Sequence, residues 1–145
     1  MAETDLSPFN FVTDVRVRLP ETDTMGVVFH GFFFTYFEVG RVDYLRNLNL
    51  LGDKRPINDF DNVVVSCHLD CKFPARLDDP INIHVRVSHI KNSSFTFEFA
   101  LIHSEEKRLI ATGHTIHCAT DNNFSPIKVP DSFRDTIKAF EENLK

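Results

Sequence analysis

The stretch Asp23-Thr-Met-Gly26-Val-Val-Phe-His30-Gly-Phe-Phe-Phe34-Thr-Tyr-Phe-Glu38 decides how this chain folds. It gathers Phe29, Phe32, Phe33, Phe34, Tyr36 and Phe37 around one aspartate and one histidine. Aromatic side chains bury large apolar areas, so the segment has to be covered. From His30 onward, Phe33, Phe37, Val42, Tyr44, Leu45 and Leu48 recur near helical spacing, which predicts a helix over 30–51 with Gly52 as its stop. Three consecutive helical residues fan over roughly 200°, so Phe32, Phe33 and Phe34 cannot share one narrow stripe. The helix start therefore expects cover on more than half its circumference, from a sheet and from a partner chain or an apolar ligand.

The rest of the chain supplies the sheet. Residues 9–19 end in alternation, with Val15, Val17 and Leu19 on one face and Arg16 and Arg18 on the other, until Pro20 stops the strand. After a polar loop containing Pro56, four more alternating runs follow. In 63–73, Val63, Val65, Cys67, Leu69, Cys71 and Phe73 oppose Ser66, His68, Asp70 and Lys72. In 81–88, Ile81, Ile83, Val85 and Val87 share a face; in 94–102, Phe95, Phe97, Phe99 and Leu101 do. The run 109–119 is less tidy, with Ile110, Ile116 and Cys118 on one side and Leu109 and Ala111 on the other. Asp78-Asp79-Pro80, Lys91-Asn92-Ser93 and Ser104-Glu105-Glu106 are the turns between them, and turns this short imply antiparallel hairpins. Ser132-Phe-Arg-Asp135 resembles a capping box before a short final helix through Phe140. The order strand, long helix, four strands, short helix is an α+β domain in which one antiparallel sheet buries one apolar helix.

The 145 residues fit one domain over 1–145, and 42% apolar residues with 15 Phe exclude general disorder. A net charge of -5 argues against a nucleic-acid partner, which needs a basic footprint. Three Cys without framework spacing point to a reducing compartment. The acidic, polar start lacks the pattern of a signal peptide, and no apolar run reaches membrane-spanning length. The expectation is a cytoplasmic protein without membrane insertion.

Few groups are left to carry chemistry. His114-x-x-His117 and Cys67-His68-x-x-Cys71 fall on expected strands, where residues three apart face opposite sides and residues four apart sit about 13 Å from each other. No metal is expected there, and no cofactor elsewhere: nucleophile elbows, phosphate loops and dinucleotide fingerprints are absent. The cysteines are read as inert thiols on apolar strand faces. Asp23 stands out. A helix N-cap or a turn is the ordinary role for such an aspartate, but Asp23 lies seven residues before His30, with Gly26 and an apolar run between. A carboxylate on an apolar loop leading to a helix start lies near free amide donors, the ingredients of an oxyanion site. At His30 the backbone amide matters more than the ring, and Glu38 reads as a helix residue paired with Arg41.

These residues resemble a known family. Glu21-Thr-Asp23-Thr-Met-Gly26-Val-Val-Phe-His30, with Tyr36-Phe-Glu38-Val-Gly-Arg41 and Phe73-Pro-Ala-Arg-Leu-Asp-Asp79, is similar to the hotdog-fold acyl-CoA thioesterases, nearest the 4-hydroxybenzoyl-CoA and Tol-Pal-associated branch. The likeness runs from about residue 11 to residue 140. It implies a hotdog fold, an antiparallel β-sheet wrapped around a long central α-helix, assembled as a homodimer or homotetramer. It implies an acyl-CoA substrate, with the active-site carboxylate on Asp23 and the carbonyl-polarising amide on His30. Substrate contacts carry over to Gly26, Val27, Val28 and Phe33, and Lys72, Arg76 and Lys91 are the candidates for the CoA phosphates. Met25 and the Phe32–Phe34 run depart from the family pattern and bear on acyl specificity. Three other readings are open. Acyl carrier protein could carry the acyl group instead of CoA. A hotdog hydratase or dehydratase would need a histidine motif that is missing after His30. An acyl-CoA-binding module without turnover would not need Asp23.

Overall fold

A computed structural model describes residues 4–53, 57, 60–142 and 144–145. The elements run β1 (Phe11–Arg16), a 3-10 turn (Leu19–Glu21), α1 (Gly31–Asn47), β2 (Asp61–Cys71), β3 (Pro80–Ile90), β4 (Ser94–His103), β5 (Arg108–Thr120) and α2 (Asp131–Phe140). Pro56 and its expected loop lie outside the described residues, as do the first three residues of the N-terminus. The five strands form one antiparallel sheet in the order β1-β3-β4-β5-β2. The long helix α1 packs across β1, β3 and β4, as expected of a hotdog. No described helix is long and apolar enough to cross a membrane.

Alternation in the central strands sets the core. Ile81, Ile83, Val85 and Val87 of β3 and Phe95, Phe97, Phe99 and Leu101 of β4 are all buried, against Phe33, Tyr36, Phe37, Tyr44 and Leu45 of α1. Two glycines let the layers meet. A Cβ on Gly40 would lie 2.6 Å from Ile83 and 2.8 Å from Val85, and one on Gly113 would lie 2.5 Å from the Phe37 ring. The helix thus crosses β3 at Gly40 and lays Phe37 over β5. Glu38 pairs with Arg41 as expected.

Several expectations need correction. The helix ends at Asn47, not near Gly52. Asn49 takes a left-handed conformation (φ 58°), Asn49 N–H donates to Arg46 O and Leu50 N–H to Leu45 O, which closes a Schellman turn with buried Leu50 against Leu45. Leu19 leaves the strand face for the 3-10 turn and is 68% exposed. In β2 a register irregularity between Val64 and Ser66 splits the supposed face: Val63 pairs with Cys118, whereas Cys67 pairs with the buried Thr115. A second irregularity, between Leu101 and Ile102, buries both Ile110 and Ala111 of β5. Beyond it Thr115, His117 and Ala119 face the core, and Ile116 and Cys118 are half-buried. Cys67 and Cys71 are exposed, because β2 is a sheet edge. The final helix begins at Asp131 behind Pro130, so Ser132 sits inside its first turn and the capping box does not form.

His117 has no exposed surface, stacks on Phe95 (ring centroids 5.2 Å apart) and hydrogen-bonds Asn62 and Thr115. Burial first, and the Arg41 guanidinium second, push its pKa down to about 3. The native ring stays neutral while the unfolded chain protonates near about 6.5. Stability that depends on neutral His117 is therefore complete above about pH 6.5 and is lost as pH falls from there toward about 3. Urea unfolding between about pH 7 and pH 4 should show this decline, and His117→Gln should flatten it. Equal slopes in both proteins would show that His117 is not its source.

Candidate active site

The chain between β1 and α1 folds as a small hairpin. Thr22 bridges Val28, Asp23 N–H donates to Val27 O (2.8 Å), and Phe29 N–H donates to Glu21 O (2.9 Å). Gly26 holds the tip at φ 76°, with nothing within 4 Å of an added Cβ, so glycine is required there by backbone conformation, not by crowding. Asp23 is exposed near this tip. Its Oδ1 accepts from Met25 N–H at 2.7 Å and Val27 N–H at 3.5 Å. The ordinary turn role is thus present, and it leaves the carboxylate open to solvent.

The hairpin runs straight into α1. Phe32 N–H donates back to Phe29 O and Phe33 N–H to His30 O, a tight first turn. His30, in the N-cap position, makes no side-chain cap. Among the described residues the His30 and Gly31 amides have no backbone partner, the usual state of the first donors of a helix. The Phe29 and His30 rings lie 4.3 Å apart at this opening.

A second loop, 72–79, joins the hairpin. Val28 N–H donates to Ala75 O (2.8 Å) and Val27 bridges Arg76, whose own amide donates to Asp79 (2.8 Å). Asp23, Gly26, Val27, Val28, His30 and Arg76 therefore gather in one place, with exposed Lys72 at the near end of β2. Phe33 lies beneath them and is 4% exposed. Lys91 stands apart: it occupies the turn beyond Ile90, whereas the 72–79 loop feeds the other end of β3, about 30 Å away at strand rise. The rim of the site is apolar. Met25 is 78% exposed, Phe29 46%, Phe73 44% and Leu77 50%, with the Arg108 guanidinium 3.9 Å above the Phe73 ring.

The metal candidates lie elsewhere. His117 is in the core, while His114 stacks on His68 across β5 and β2 (5.3 Å). Among the described residues no group of three or more His, Cys, Asp and Glu side chains could hold a metal ion. What sequence reading missed is Glu21, buried beneath the hairpin and bonded to Arg18 and Tyr36. The Arg18-x-x-Glu21 spacing around Pro20 was its available signal.

An antiparallel sheet carrying a long helix, with an aspartate hairpin at the helix start, defines a hotdog protein of the thioesterase type. A family model for the thioesterase-like superfamily matches residues 17–137, and the chain belongs to that family. It is 30% identical to the acyl-CoA thioesterase YbgC of Haemophilus influenzae, covering 93% of this chain and 96% of that one. Among solved structures, a hypothetical protein from Aquifex aeolicus superposes with a TM-score of 0.80 at 26% identity, over 88% of this chain and 99% of that one. The DHNA-CoA thioesterase of Staphylococcus aureus superposes with a TM-score of 0.76 at 25% identity, over 86% and 83%.

Proposed function

We propose that this protein hydrolyses acyl-CoA thioesters to a free acid and CoA, as one hotdog domain in the cytoplasm. One observation carries the reading: a hairpin that runs straight into α1 presents a solvent-open carboxylate, Asp23, ahead of a helix start whose His30 and Gly31 amides have no backbone partner among the described residues. A thioester carbonyl is already electrophilic, so the protein has to deliver water or a carboxylate and stabilise the oxyanion. Asp23 takes the proton from an attacking water and the collapsing intermediate expels the CoA thiolate. Alternatively, Asp23 attacks the carbonyl itself, the C–S bond breaks to release the CoA thiolate, and water then opens the resulting anhydride. The amide at His30 meets the oxyanion. Family membership and the Haemophilus relative support the CoA thioester as substrate.

In this reading the backbone at Gly26, Val27 and Val28 forms one wall for the thioester, and Phe33 lies under the acyl group. Arg76 and Lys72 face the CoA phosphates. Lys91, at the far end of β3, meets the same ligand only across a subunit boundary. Hydrolysis of butanoyl-, octanoyl- and benzoyl-CoA, read as free thiol, tests the activity; absence of turnover on a broad panel of such thioesters would sink it. Matched acyl carrier protein thioesters show which carrier is preferred.

Assembly is part of the proposal. Exposed Val64 (50%) and Val65 (59%) lie on the open edge strand β2, and long apolar edges call for a partner strand. A separate open groove on α1 is lined by Thr35, Glu38, Val39, Val42 and Asp43. Sedimentation should therefore give a homodimer or homotetramer. A 16.7 kDa monomer alone at micromolar concentration would count against the shared site.

A further inference from the structure

Glu21 is a carboxylate at the end of a surface turn, yet it is 2% exposed. Its Oε1 accepts the Arg18 backbone N–H (2.9 Å) and the Tyr36 hydroxyl (2.8 Å); its Oε2 accepts Arg18 Nε (2.9 Å) and Nη2 (2.5 Å). Burial pushes the carboxyl pKa up, but the Arg18 and Tyr36 bonds together outweigh it and the net direction is down. Burial, and then Glu21, push the Tyr36 hydroxyl up, so it remains a donor. Glu21 is buried while its ion partner Arg18 is 72% exposed. A buried, hydrogen-bonded carboxylate contributes little to stability compared with well-packed apolar side chains, whereas it can fix one geometry among several.

The geometry fixed here is that of the hairpin. The Glu21 carbonyl accepts Phe29 N–H, so residues 22–28 hang between Glu21 and Phe29, with Asp23 two residues out. Tyr36 belongs to α1, which opens with the His30 and Gly31 amides. Asp23 has no comparable anchor of its own. Among the described residues its carboxylate bonds within its own turn, to Met25 and Val27. Besides the chain itself, which runs through Phe29 into α1, the Glu21–Tyr36 hydrogen bond ties the base of the hairpin to the helix across 15 residues of chain.

We propose that Glu21 and Tyr36 are positioning residues, whose buried hydrogen bond sets the Asp23 carboxylate at a fixed place relative to the amides at the start of α1. The inference rests on the reading of Asp23 as the reacting carboxylate. Displacing a reacting group by about 1 Å can cost on the order of 100-fold in rate, and an exposed hairpin held at its base is open to such displacement.

Tyr36→Phe removes one hydroxyl and keeps the ring; Glu21→Gln keeps the shape and removes the charge. Each is measured alone and combined with Asp23→Asn, using butanoyl-, octanoyl- and benzoyl-CoA with free-thiol readout and a thermal melt. Tyr36→Phe should stay folded and lose about 10–100-fold in kcat with KM within about twofold of the parent. Added to Asp23→Asn it should lower kcat no further, because nothing remains to be positioned. Parental kcat in Tyr36→Phe, while Asp23→Asn is inactive, overturns the positioning role and leaves Asp23 in place. The same follows from an equal fractional loss in both backgrounds, or from a loss confined to KM. If residual turnover of Asp23→Asn is too small to measure, the split between kcat and KM in Tyr36→Phe decides. If Glu21→Gln does not fold, Tyr36→Phe decides alone. Parental turnover in Asp23→Asn removes the reading of Asp23 and this proposal with it.

Discussion

Asp23→Asn should fold normally and lose about 10²–10⁴-fold in thioester turnover if Asp23 is a general base, with a larger loss if it is the nucleophile. The expectation separates the two things Asp23 can do. As a turn residue it accepts N–H bonds from Met25 and Val27 through Oδ1. Asparagine retains a carbonyl oxygen at the same reach, so the turn survives the substitution. It cannot accept a proton from water at neutral pH, nor attack as a carboxylate. The side chain is exposed and packs into no core, so the melt should move little. CoA affinity should hold, because its phosphates are assigned to other residues. Turnover and melt are measured on one preparation. A folded variant that cleaves its best substrate at the parental rate would falsify the role of Asp23. A variant that unfolds would show that the turn is its whole role.

The layout of the candidate site was legible because its signals are local. Asp23, Gly26 and His30 are close in sequence, and the helix start follows them directly, so spacing alone puts an aspartate just ahead of a helix start. The faces of β3 and β4 were legible for the same reason: unbroken alternation fixes a strand's two sides. What stayed hidden depends on things alternation does not encode. An irregular register shifts the phase of a strand without any mark in composition, which is why Ile110 reads as sharing a face with Ile116 and Cys118 although it is buried along with Ala111. Strand order is equally silent, so Cys67 and Cys71 of an edge strand read like core residues. The helix end was misplaced because Leu48, Leu50 and Leu51 continue the apolar pattern past the left-handed Asn49. Glu21 carries no local mark of its burial, since its partner Tyr36 lies 15 residues away on α1.

Phe37→Ala should destabilise the protein by about 3–5 kcal/mol, toward the upper end of that range. The ring has no exposed surface, stacks nearly parallel on Phe99 at 4.5 Å, and meets Phe34 edge-on at 5.8 Å. Truncating a buried ring costs its transfer free energy plus a cavity term, and the cavity term depends on whether neighbours can collapse. Here they cannot collapse readily. The ring lies over Gly113, where an added Cβ would come within 2.5 Å of it, so the floor of the cavity has no side chain to swing inward. Above it, Gly40 already brings the helix backbone against Ile83 and Val85. The two glycines make the Phe37 pocket close-fitting and unforgiving in both directions: Gly113→Ala should also destabilise, because its Cβ would meet the His68 carbonyl at 2.4 Å and the Phe37 ring at 2.5 Å. Urea unfolding of both variants checks this. A Phe37→Ala loss below about 1 kcal/mol, far under the usual cost of removing a buried ring, would mean that this face of α1 is not the one packed on the sheet. The start of α1, and the candidate site with it, would then have to be rebuilt, since Phe37 anchors that helix.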